Sequence, residues 1–312
     1  MCGRTCCNLN KDIYINASCR YNSSECHYEA PEWKQLSNAG LDFTPSINCA
    51  PQSITPVLVS SDHFPAHSGN IMVPMLWGMI PPWYSGNYAS HGLSTNNCRL
   101  ENITTSKLYS PSLEQGKRCV VLCEGFYEWQ TTKRTPKKQP YFVYASQKPG
   151  VKVESVQDWN FGELSRETGW SGPALLFMAG IFNKWRHEDG DWIYSYSILT
   201  MESNPHFSWL HHRIPAVLST GTQVMEWLNY SKVSSGQALN MLTPVTSLQW
   251  HPVAHGVGNS RNKSLDCNAR IDLSKTGESK SSQMMLSWLG KGKRQLASDE
   301  QDQGAPKKSK TN

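Results

Sequence analysis

Short apolar runs, each bounded by proline, glycine or polar residues, recur along this chain and constrain its fold more than any other feature. They are rich in β-branched and aromatic residues, which favour strands over helices. The runs are Pro56–Ser60, Ile71–Leu76, Cys119–Leu122, Tyr141–Tyr144, Leu175–Ala179 and Trp192–Leu199. Two helices are predicted late in the chain, at Gln223–Leu228 behind a Thr222 cap and at Ser234–Leu242. The pattern predicts an α+β domain that contains much antiparallel sheet.

The composition changes near residue 275, where serine, lysine, glutamine and glycine begin to dominate. We therefore predict one domain over residues 1–275 and a flexible basic tail over residues 276–312. Within the domain, the polar and irregular segment Gln147–Gly172 is predicted to be an insertion loop. In the tail, the apolar patch Gln283–Leu289 predicts a docking helix that loosely resembles a peptide bound by the replication sliding clamp.

The ends of the chain indicate where the protein works. Two basic clusters, Lys291–Arg294 and Pro306–Lys310, resemble a bipartite nuclear import signal, although a solvated charged tail fits them equally. The first twenty residues are polar, and no apolar run approaches the length of a membrane span. We therefore expect an intracellular, nuclear protein with reduced thiols and no membrane partner.

The 10 cysteines do not indicate a metal centre, because no Cys-x-x-Cys pair occurs. Cys119 and Cys123, four residues apart, fit a buried strand better than zinc ligation. No metal or other cofactor is therefore predicted. A formal charge of +5, together with 12 Trp and 12 Tyr, permits a nucleic-acid partner whose bases stack on aromatic side chains.

Cys2 is the residue whose position in the chain has the largest chemical consequence. If Met1 is removed, Cys2 carries a free α-amine and a thiol on adjacent carbons. Both groups are nucleophiles when unprotonated, and an α-amine has a pKa of roughly 7.7–8.0. Such an aminothiol condenses with an aldehyde to an imine, which the thiol then closes to a five-membered thiazolidine. The alternative is that Cys2 is merely the second residue of the chain.

Two strings are candidates for nucleic-acid contact. Trp77–Trp83 places two tryptophans around a turn stiffened by Pro81 and Pro82, which suits either a packed core corner or a wedge that stacks on bases. The string Asn97–Glu101 would put Asn97, Arg99 and Glu101 on one face if it were extended. An amide beside a guanidinium suits phosphate or sugar binding, and a solvated strand face explains the string equally well.

Two further strings carry candidate acid and base groups. Glu128 lies among aromatic residues in Gly125–Trp129, so its pKa should be raised by desolvation, as suits a general acid or base. His211 and His212 precede Arg213, and histidine is the side chain that most often moves protons near neutral pH. A solvated Glu128 and a structural or metal-binding histidine pair are the alternatives.

Five strings, in this order, resemble the SRAP family of SOS response-associated peptidase-like proteins. They are Met1–Arg4, Trp77–Trp83, Asn97–Arg99, Gly125–Trp129 and His211–Ala216. The resemblance runs from Met1 to about Leu273 and implies a single SRAP-like domain, mainly antiparallel and barrel-like, with peripheral helices. Two positions depart from the family pattern: Ile214 replaces the usual methionine, and Gly258 replaces an asparagine that would contact the DNA groove.

The resemblance also implies a function, which is covalent capture of abasic sites in single-stranded DNA, in the nucleus and at replication forks. It implies Cys2 as the crosslinking residue, Asn97 as the residue that positions it, Glu128 as the acid/base residue and His211 as its proton-transfer partner. It further implies that Arg99 binds the DNA backbone and that Arg4 and Asn48 line the DNA groove. Two other functions remain open: an autoprocessing cysteine peptidase with an N-terminal nucleophile, and a non-catalytic nucleic-acid reader that uses Trp77, Pro81 and Trp83.

Overall fold

The computed structural model describes residues 2–64, 69–133 and 137–274. These residues form seventeen strands and five α-helices. The strands are β1 (Thr5–Cys7), β2 (Arg20–Asn22), β3 (His27–Glu29), β4 (Glu32–Trp33), β5 (Ser46–Cys49), β6 (Ile54–Ser60), β7 (Asn70–Trp77), β8 (Asn97–Arg99), β9 (Arg118–Cys123), β10 (Gly125–Trp129), β11 (Pro140–Ala145), β12 (Leu164–Ser165), β13 (Gly169–Trp170), β14 (Leu176–Arg186), β15 (Trp192–Glu202), β16 (Arg213–Pro215) and β17 (Leu248–Pro252). The helices are α1 (Lys11–Ala17), α2 (Ser110–Glu114), α3 (Val156–Asn160), α4 (Gly221–Leu228) and α5 (Ser235–Asn240).

Five strands close into a barrel. β6 pairs with β7 and β9, and β14 pairs with β9 and β15, all antiparallel. Parallel pairing of β15 with β7, with Ser195 opposite Leu76, completes the ring. Every residue of β6 and β9 is buried, which explains why the sequence shows continuous apolar runs there and not an alternating pattern. The predicted α+β, mainly antiparallel and barrel-like fold is thus confirmed.

A second sheet carries the amino-terminal strand. Its order is β17-β11-β10-β1-β5, and all its pairings are antiparallel. β1 lies between β10 and β5, so the residues that precede it enter the fold next to Glu128 of β10. The short strand β8 pairs in parallel with β15 of the barrel, Asn97 opposite Ile198. β8 therefore brings the Asn97 string from the barrel towards the chain's amino terminus.

All six predicted strand runs are confirmed, and both predicted helices are present with different bounds. α4 begins at Gly221 with Thr220 as its cap, because the Thr220 hydroxyl accepts from the backbone N–H of Gln223; the predicted Thr222 cap was wrong. α5 begins after Ser234, whose side chain and Gln237 form a reciprocal capping box. The segment 147–172 is more ordered than predicted, since it contains α3 and the hairpin of β12 and β13.

One compact unit of the chain ends at Arg270. The proposed docking helix and both basic clusters lie outside the described residues, so the boundary near residue 275 and the tail remain predictions. None of the helices in the described ranges has the length and apolar character that a membrane crossing requires.

Candidate active site

Cys2 lies three residues before β1 and is buried, with 1% of its surface exposed. Two side-chain amides converge on its carbonyl oxygen: Asn97 Nδ2 donates at 2.7 Å and Asn96 Nδ2 at 3.2 Å. Asn96 is itself held, because the Trp77 indole N–H donates to its backbone carbonyl at 3.0 Å. The two asparagines therefore fix the backbone of Cys2 relative to β8 and the barrel.

The thiol of Cys2 is kept in its neutral form. Burial raises its pKa far above the usual value for cysteine, and the nearby Glu128 carboxylate adds to the effect because two negative charges repel. The backbone brings the two residues towards each other, because the Tyr127 N–H next to Glu128 donates to the Arg4 carbonyl at 2.9 Å. A neutral thiol is a weak nucleophile on its own, so the site does not supply a preformed thiolate at Cys2.

Glu128 lies on β10 opposite Tyr141 of β11 and is buried, with 4% of its surface exposed. Its Oε1 accepts from the backbone N–H of Trp129 at 3.2 Å. Burial raises the pKa of the carboxyl, as its aromatic neighbours in the sequence predicted. A carboxyl of this kind holds a proton at a higher pH than a solvated one and can donate it to a leaving hydroxyl.

His211 lies just before β16 and is buried. Its Nδ1 accepts from the backbone N–H of Arg213 at 3.0 Å, so the neutral ring carries its proton on Nε2. Its ring also stacks on His212, with ring centroids 4.4 Å apart. Burial lowers the pKa of His211 to about 4. The ring is neutral at physiological pH, and its Nε2–H is a hydrogen-bond donor.

The string after Asn97 does not present one polar face. β8 ends at Arg99, and Glu101 lies in the following 3₁₀ turn, where both its oxygens accept from the Arg213 guanidinium at 2.7 and 2.9 Å. The predicted grouping of Glu101 with Asn97 and Arg99 was therefore wrong, because the change from strand to turn breaks the alternation of faces. The Arg99 side chain is exposed, as the predicted contact with the DNA backbone requires.

The Trp77–Trp83 string divides into a core part and a surface part. Trp77 has none of its surface exposed and Pro81 is buried, so the predicted stacking of these two side chains on bases was wrong. Trp77 is the last residue of β7, where it pairs with Tyr196 of β15, and its indole N–H donates to the Asn96 carbonyl at 3.0 Å. Trp83, by contrast, has 60% of its surface exposed, and Pro82 is exposed beside it.

Asn48 is a structural residue and not a groove contact. It is fully buried, and its Nδ2 donates to the carbonyls of Val257, Asn259 and Asn262 at 3.0–3.1 Å. Its Oδ1 accepts from the Arg4 guanidinium at 3.1 Å. The predicted groove role of Asn48 was therefore wrong, since its amide is fully engaged within the protein.

Arg4 is held by the same loop, and its other guanidinium nitrogen donates to the Gly258 carbonyl at 3.2 Å. A side chain at position 258 would meet open space, so glycine in place of the asparagine usual in the family leaves the packing of the loop unchanged. Whether Arg4 also touches DNA remains a prediction.

Sequence reasoning missed two residues of this region. Asn96 stands beside Asn97 in the sequence, but only the fold shows that both amides point at one carbonyl. Glu124 is buried, where it accepts from the Tyr14 hydroxyl at 2.5 Å and from the backbone N–H of Asn8 at 2.7 Å. Burial raises the pKa of Glu124 to about 7. The signal for Glu124 was its place between the buried run Cys119–Leu122 and the glycine that opens β10.

No cluster of cysteine, histidine or acidic side chains in the described ranges is arranged to hold a metal ion.

Comparison with known proteins finds a matching family model and several similar proteins that have been named. A family model described as "SOS response associated peptidase (SRAP)" matches residues 1–260. The chain is similar to the abasic site processing protein HMCES of Pongo abelii, with 39% identity over 299 residues that cover 93% of this chain and 82% of that protein. It is also similar to the abasic site processing protein YedK of Escherichia coli (strain K12), with 28% identity over 196 residues, or 62% of this chain and 72% of that protein.

The fold has solved counterparts at low sequence identity. A protein from Bordetella bronchiseptica superposes with a TM-score of 0.57 at 17% identity, covering 81% of this chain and 100% of that one. A protein from Bacteroides thetaiotaomicron gives a TM-score of 0.55 at 19% identity, covering 74% of this chain and 87% of that one. At these identities the likeness concerns the fold alone. A family model matches residues 1–260, and a named relative is 39% identical over 93% of this chain. The chain therefore belongs to the SRAP family.

Proposed function

We propose that this protein processes abasic sites by capturing them covalently in single-stranded DNA, through the α-amine and thiol of Cys2 after Met1 has been removed. The names of its relatives support abasic-site processing. The observation that carries the finer proposal is the placement of Cys2, with its carbonyl held by the amides of Asn96 and Asn97 and its side chain beside the buried acid Glu128. A residue held in this way presents both of its nucleophiles from a fixed backbone.

The first step exposes the amine. Hydrolysis of the Met1–Cys2 peptide bond consumes one water and releases methionine, leaving the α-amine of Cys2 as the new amino terminus. An α-amine has an ordinary pKa near 8, so a useful fraction is unprotonated at physiological pH.

The amine then attacks C1′ of the ring-opened abasic sugar, which is an aldehyde. The carbinolamine that forms loses its hydroxyl as water, and the protonated carboxyl of Glu128 is placed to supply the proton. His211 is the proposed proton-transfer partner, and its neutral ring donates through Nε2–H because Nδ1 already accepts from the Arg213 N–H. The product of this step is an imine between the Cys2 nitrogen and C1′.

The thiol completes the reaction. Sγ of Cys2 adds to the imine carbon, its proton passes to the nitrogen, and a five-membered thiazolidine forms. The neutral, protonated state of the buried thiol suits this order, since the amine reacts first and the thiol proton is needed only at ring closure. The thiazolidine lacks the electron-withdrawing iminium group that would promote β-elimination, so the product shields the lesion and leaves the strand intact.

The two other functions receive less support. A cysteine peptidase needs a thiolate nucleophile, and burial works against a thiolate at Cys2. A non-catalytic reader built on the Trp77–Trp83 string loses its main element, because Trp77 and Pro81 are buried. Binding to the sliding clamp, nuclear location and action at replication forks remain proposals that rest on the tail and on the family resemblance.

The proposal is tested by intact-protein mass spectrometry after mixing with single-stranded DNA that contains one abasic site. The wild type should have lost Met1 and should gain the mass of the DNA minus one water, in an adduct that survives denaturation. Cys2→Ala should form no stable adduct, and Cys2→Ser should form at most a labile imine. Cys26→Ser, at an exposed cysteine, is the matched control and should react like the wild type. A stable adduct in Cys2→Ala would refute the assignment.

A further inference from the structure

A cavity of about 180 Å³ lies beside the first turn of α4, among residues that the candidate active site does not use. Asn70, the first residue of β7, lines this cavity, whereas Trp77, the last residue of β7, donates to the Asn96 carbonyl in the candidate site. β7 has eight residues, so its two ends are roughly 23 Å apart at about 3.3 Å per residue. The cavity is therefore separate from the site at Cys2.

Hydrocarbon forms most of the cavity wall. Leu58 of β6, Phe177 of β14 and Val224 of α4 line it, and Leu58 and Val224 are buried. Water molecules inside would find few hydrogen-bond partners on these side chains, so an apolar chain that displaces the water lowers the free energy. The volume is that of about six water molecules, which suits a ligand of about eight non-hydrogen atoms.

Two N–H donors at this cavity are directed at a sulfur atom. Arg20 Nη1 donates to Met225 Sδ at 3.5 Å, and Asn70 Nδ2 donates to the same sulfur at 3.2 Å. All three residues line the cavity. A thioether sulfur is a weak acceptor, whereas a carboxylate oxygen is a strong acceptor for a guanidinium or an amide. A carboxylate placed between these donors would therefore replace two weak hydrogen bonds by stronger ones.

The wall also contains a backbone donor at the start of α4. The helical hydrogen bonds begin where the Val224 N–H donates to the Thr220 carbonyl at 3.1 Å, so the Gly221 N–H has no acceptor within α4. Gly221 lines the cavity, and a Cβ at this position would meet no atom within 4 Å. By contrast, the Ser18 hydroxyl on the wall already donates to the Tyr14 carbonyl at 2.8 Å. The wall thus offers donors to a ligand, which favours an anion.

Glu29 holds the Arg20 guanidinium without closing it to a second anion. Arg20 Nη2 is 2.6 Å from Glu29 Oε1, and the other Glu29 oxygen accepts from Asn22 Nδ2 at 3.1 Å. The Arg20 and Glu29 side chains are 32% and 30% exposed, so solvent screens their charges. A guanidinium carries several N–H groups in a planar fork, so Nη1 can bind a further carboxylate while Nη2 holds Glu29.

We propose that this cavity binds a small linear monocarboxylate of about four to six carbons, a size set by the cavity volume. The carboxylate accepts from the Arg20 guanidinium, the Asn70 amide and the Gly221 N–H, in place of the Met225 sulfur. The hydrocarbon tail fills the apolar part of the cavity. Binding forms and breaks no covalent bond, and it does not depend on the capture of abasic sites at Cys2.

The test follows the Met225 methyl group, because the Met225 sulfur gives up its two donors when the carboxylate binds. The full chain is labelled with carbon-13 at its methionine methyl groups, and sodium hexanoate is added at constant ionic strength. Met225→Leu and Met79→Leu assign the two signals that matter. We expect the Met225 signal to shift and to saturate with a Kd on the order of 1 mM, as for a ligand of few atoms. The Met79 signal, from the loop that follows β7 at the candidate-site end, should not shift.

Charge variants identify the donor. Arg20→Gln should raise the hexanoate Kd at least about tenfold, since a hydrogen bond from a charged group is lost. Glu29→Gln should lower the Kd about twofold to fivefold, because the guanidinium then has no competing carboxylate. A merely structural role of the Arg20–Glu29 pair would raise the Kd in both variants. Arg261→Gln, at an exposed arginine outside the cavity, is the matched control and should bind like the wild type.

Ligand variants identify the chemistry. Hexanol and hexylamine share the hydrocarbon chain and lack the carboxylate, so each should bind at least about tenfold more weakly than hexanoate. Three results would overturn the proposal: an equal Kd for hexanol or hexylamine, an unchanged hexanoate Kd in folded Arg20→Gln, and a Met225 shift that grows without saturation. Circular dichroism checks the fold of each variant. If Arg20→Gln does not fold, Glu29→Gln and the comparison with hexanol decide the question.

Discussion

Glu128 carries a carboxyl group whose pKa is raised because the side chain is buried on β10, opposite Tyr141. If its proton assists the loss of water from the carbinolamine, removal of that proton should slow the chemistry and leave docking intact. We predict that Glu128→Gln lowers the maximal crosslinking rate about 100-fold or more, the usual contribution of a general acid. Single-turnover rates at saturating abasic DNA measure this effect. The wild-type rate should also fall as pH rises through the raised pKa, and the Gln variant should lack that decline.

Arg99 provides the contrasting variant. Its side chain is exposed at the end of β8, where it is free of the Cys2 chemistry but suited to a phosphate. Arg99→Ala should weaken binding to unmodified single-stranded DNA, reduce the salt slope by about one phosphate contact and keep the maximal crosslinking rate. If instead Glu128→Gln lost DNA binding while it kept its maximal rate, the role given to Glu128 would be wrong.

At the scale of the element, β8 and the residue before it are the parts that position Cys2. Asn96 and Asn97 each donate one hydrogen bond to the Cys2 carbonyl, at 3.2 and 2.7 Å. A hydrogen bond of this kind contributes about 1 kcal/mol, so each change to alanine should slow crosslinking by roughly fivefold to tenfold. The variant that carries both changes should crosslink more slowly than either single variant, because the Cys2 carbonyl then accepts from neither side-chain amide.

The control for this prediction is Asn102→Ala. Asn102 is an exposed asparagine at the end of the following 3₁₀ turn, so its side chain should leave the rate unchanged. Rates measured with a fixed concentration of abasic DNA, together with binding to unmodified DNA, separate positioning from affinity. Wild-type rates in both Asn96→Ala and Asn97→Ala would show that the carbonyl contacts do not direct the chemistry.

The strands could be predicted from the sequence because their buried surfaces are continuous apolar runs such as Ile71–Leu76. The raised pKa of Glu128 could be predicted because its aromatic neighbours are adjacent in the chain. The buried state of Trp77 could not, since it depends on the parallel pairing of β7 with β15, which are distant in sequence. The same holds for Asn48, whose three acceptors lie more than 200 residues away. Local sequence patterns are therefore sufficient to predict the strands and helices. The partners of polar side chains can be identified only once the topology is known.

At the scale of the whole molecule, we expect an open strand to be a better substrate than a duplex. The exposed aromatic of the Trp77–Trp83 string is Trp83, which leaves one ring and not two available to stack on a base. We predict faster crosslinking of an abasic single strand than of the same site in a duplex, because a duplex must first be unstacked at a cost of a few kcal/mol. Trp83→Ala should weaken single-strand binding by about 1–3 kcal/mol. Equal rates on both substrates at matched salt would contradict the prediction.

Stability should depend on pH through Glu124. Its pKa in the folded protein is about 7, raised by burial above the value near 4.5 expected in the unfolded chain. Between these values the folded state binds more protons than the unfolded state, so this contribution is complete below pH 4.5 and is lost as pH rises to 7. The loss is on the order of 3 kcal/mol at most. Glu124→Gln cannot ionise, so its stability relative to wild type should rise from pH 5 to pH 7.5 in urea unfolding.

His211 makes the stability of the fold depend on pH in the opposite direction. Its pKa is lowered from 6.5 to about 4 in the folded state, so the unfolded chain binds more protons between these values. Stability from this group is therefore lost as pH falls from 6.5 to 4. His211→Asn should reduce that acidic loss and leave the change between pH 7 and 8 as in the wild type. A variant that unfolds with the wild-type pH dependence on both sides would show that neither group titrates as its burial requires.

The loop of residues 257–262 holds the amino-terminal strand in place. The guanidinium of Arg4 and the amide of Asn48 both bond to its carbonyls, at Val257, Gly258, Asn259 and Asn262. During synthesis the ribosome adds about 5–20 residues per second, so roughly 10–50 s separate the emergence of Cys2 from that of this loop. In that interval the amino terminus lacks the contacts that bury it. We therefore expect Met1 to be most open to cleavage on the nascent chain, and capture of aldehydes to begin only after the chain has passed residue 262.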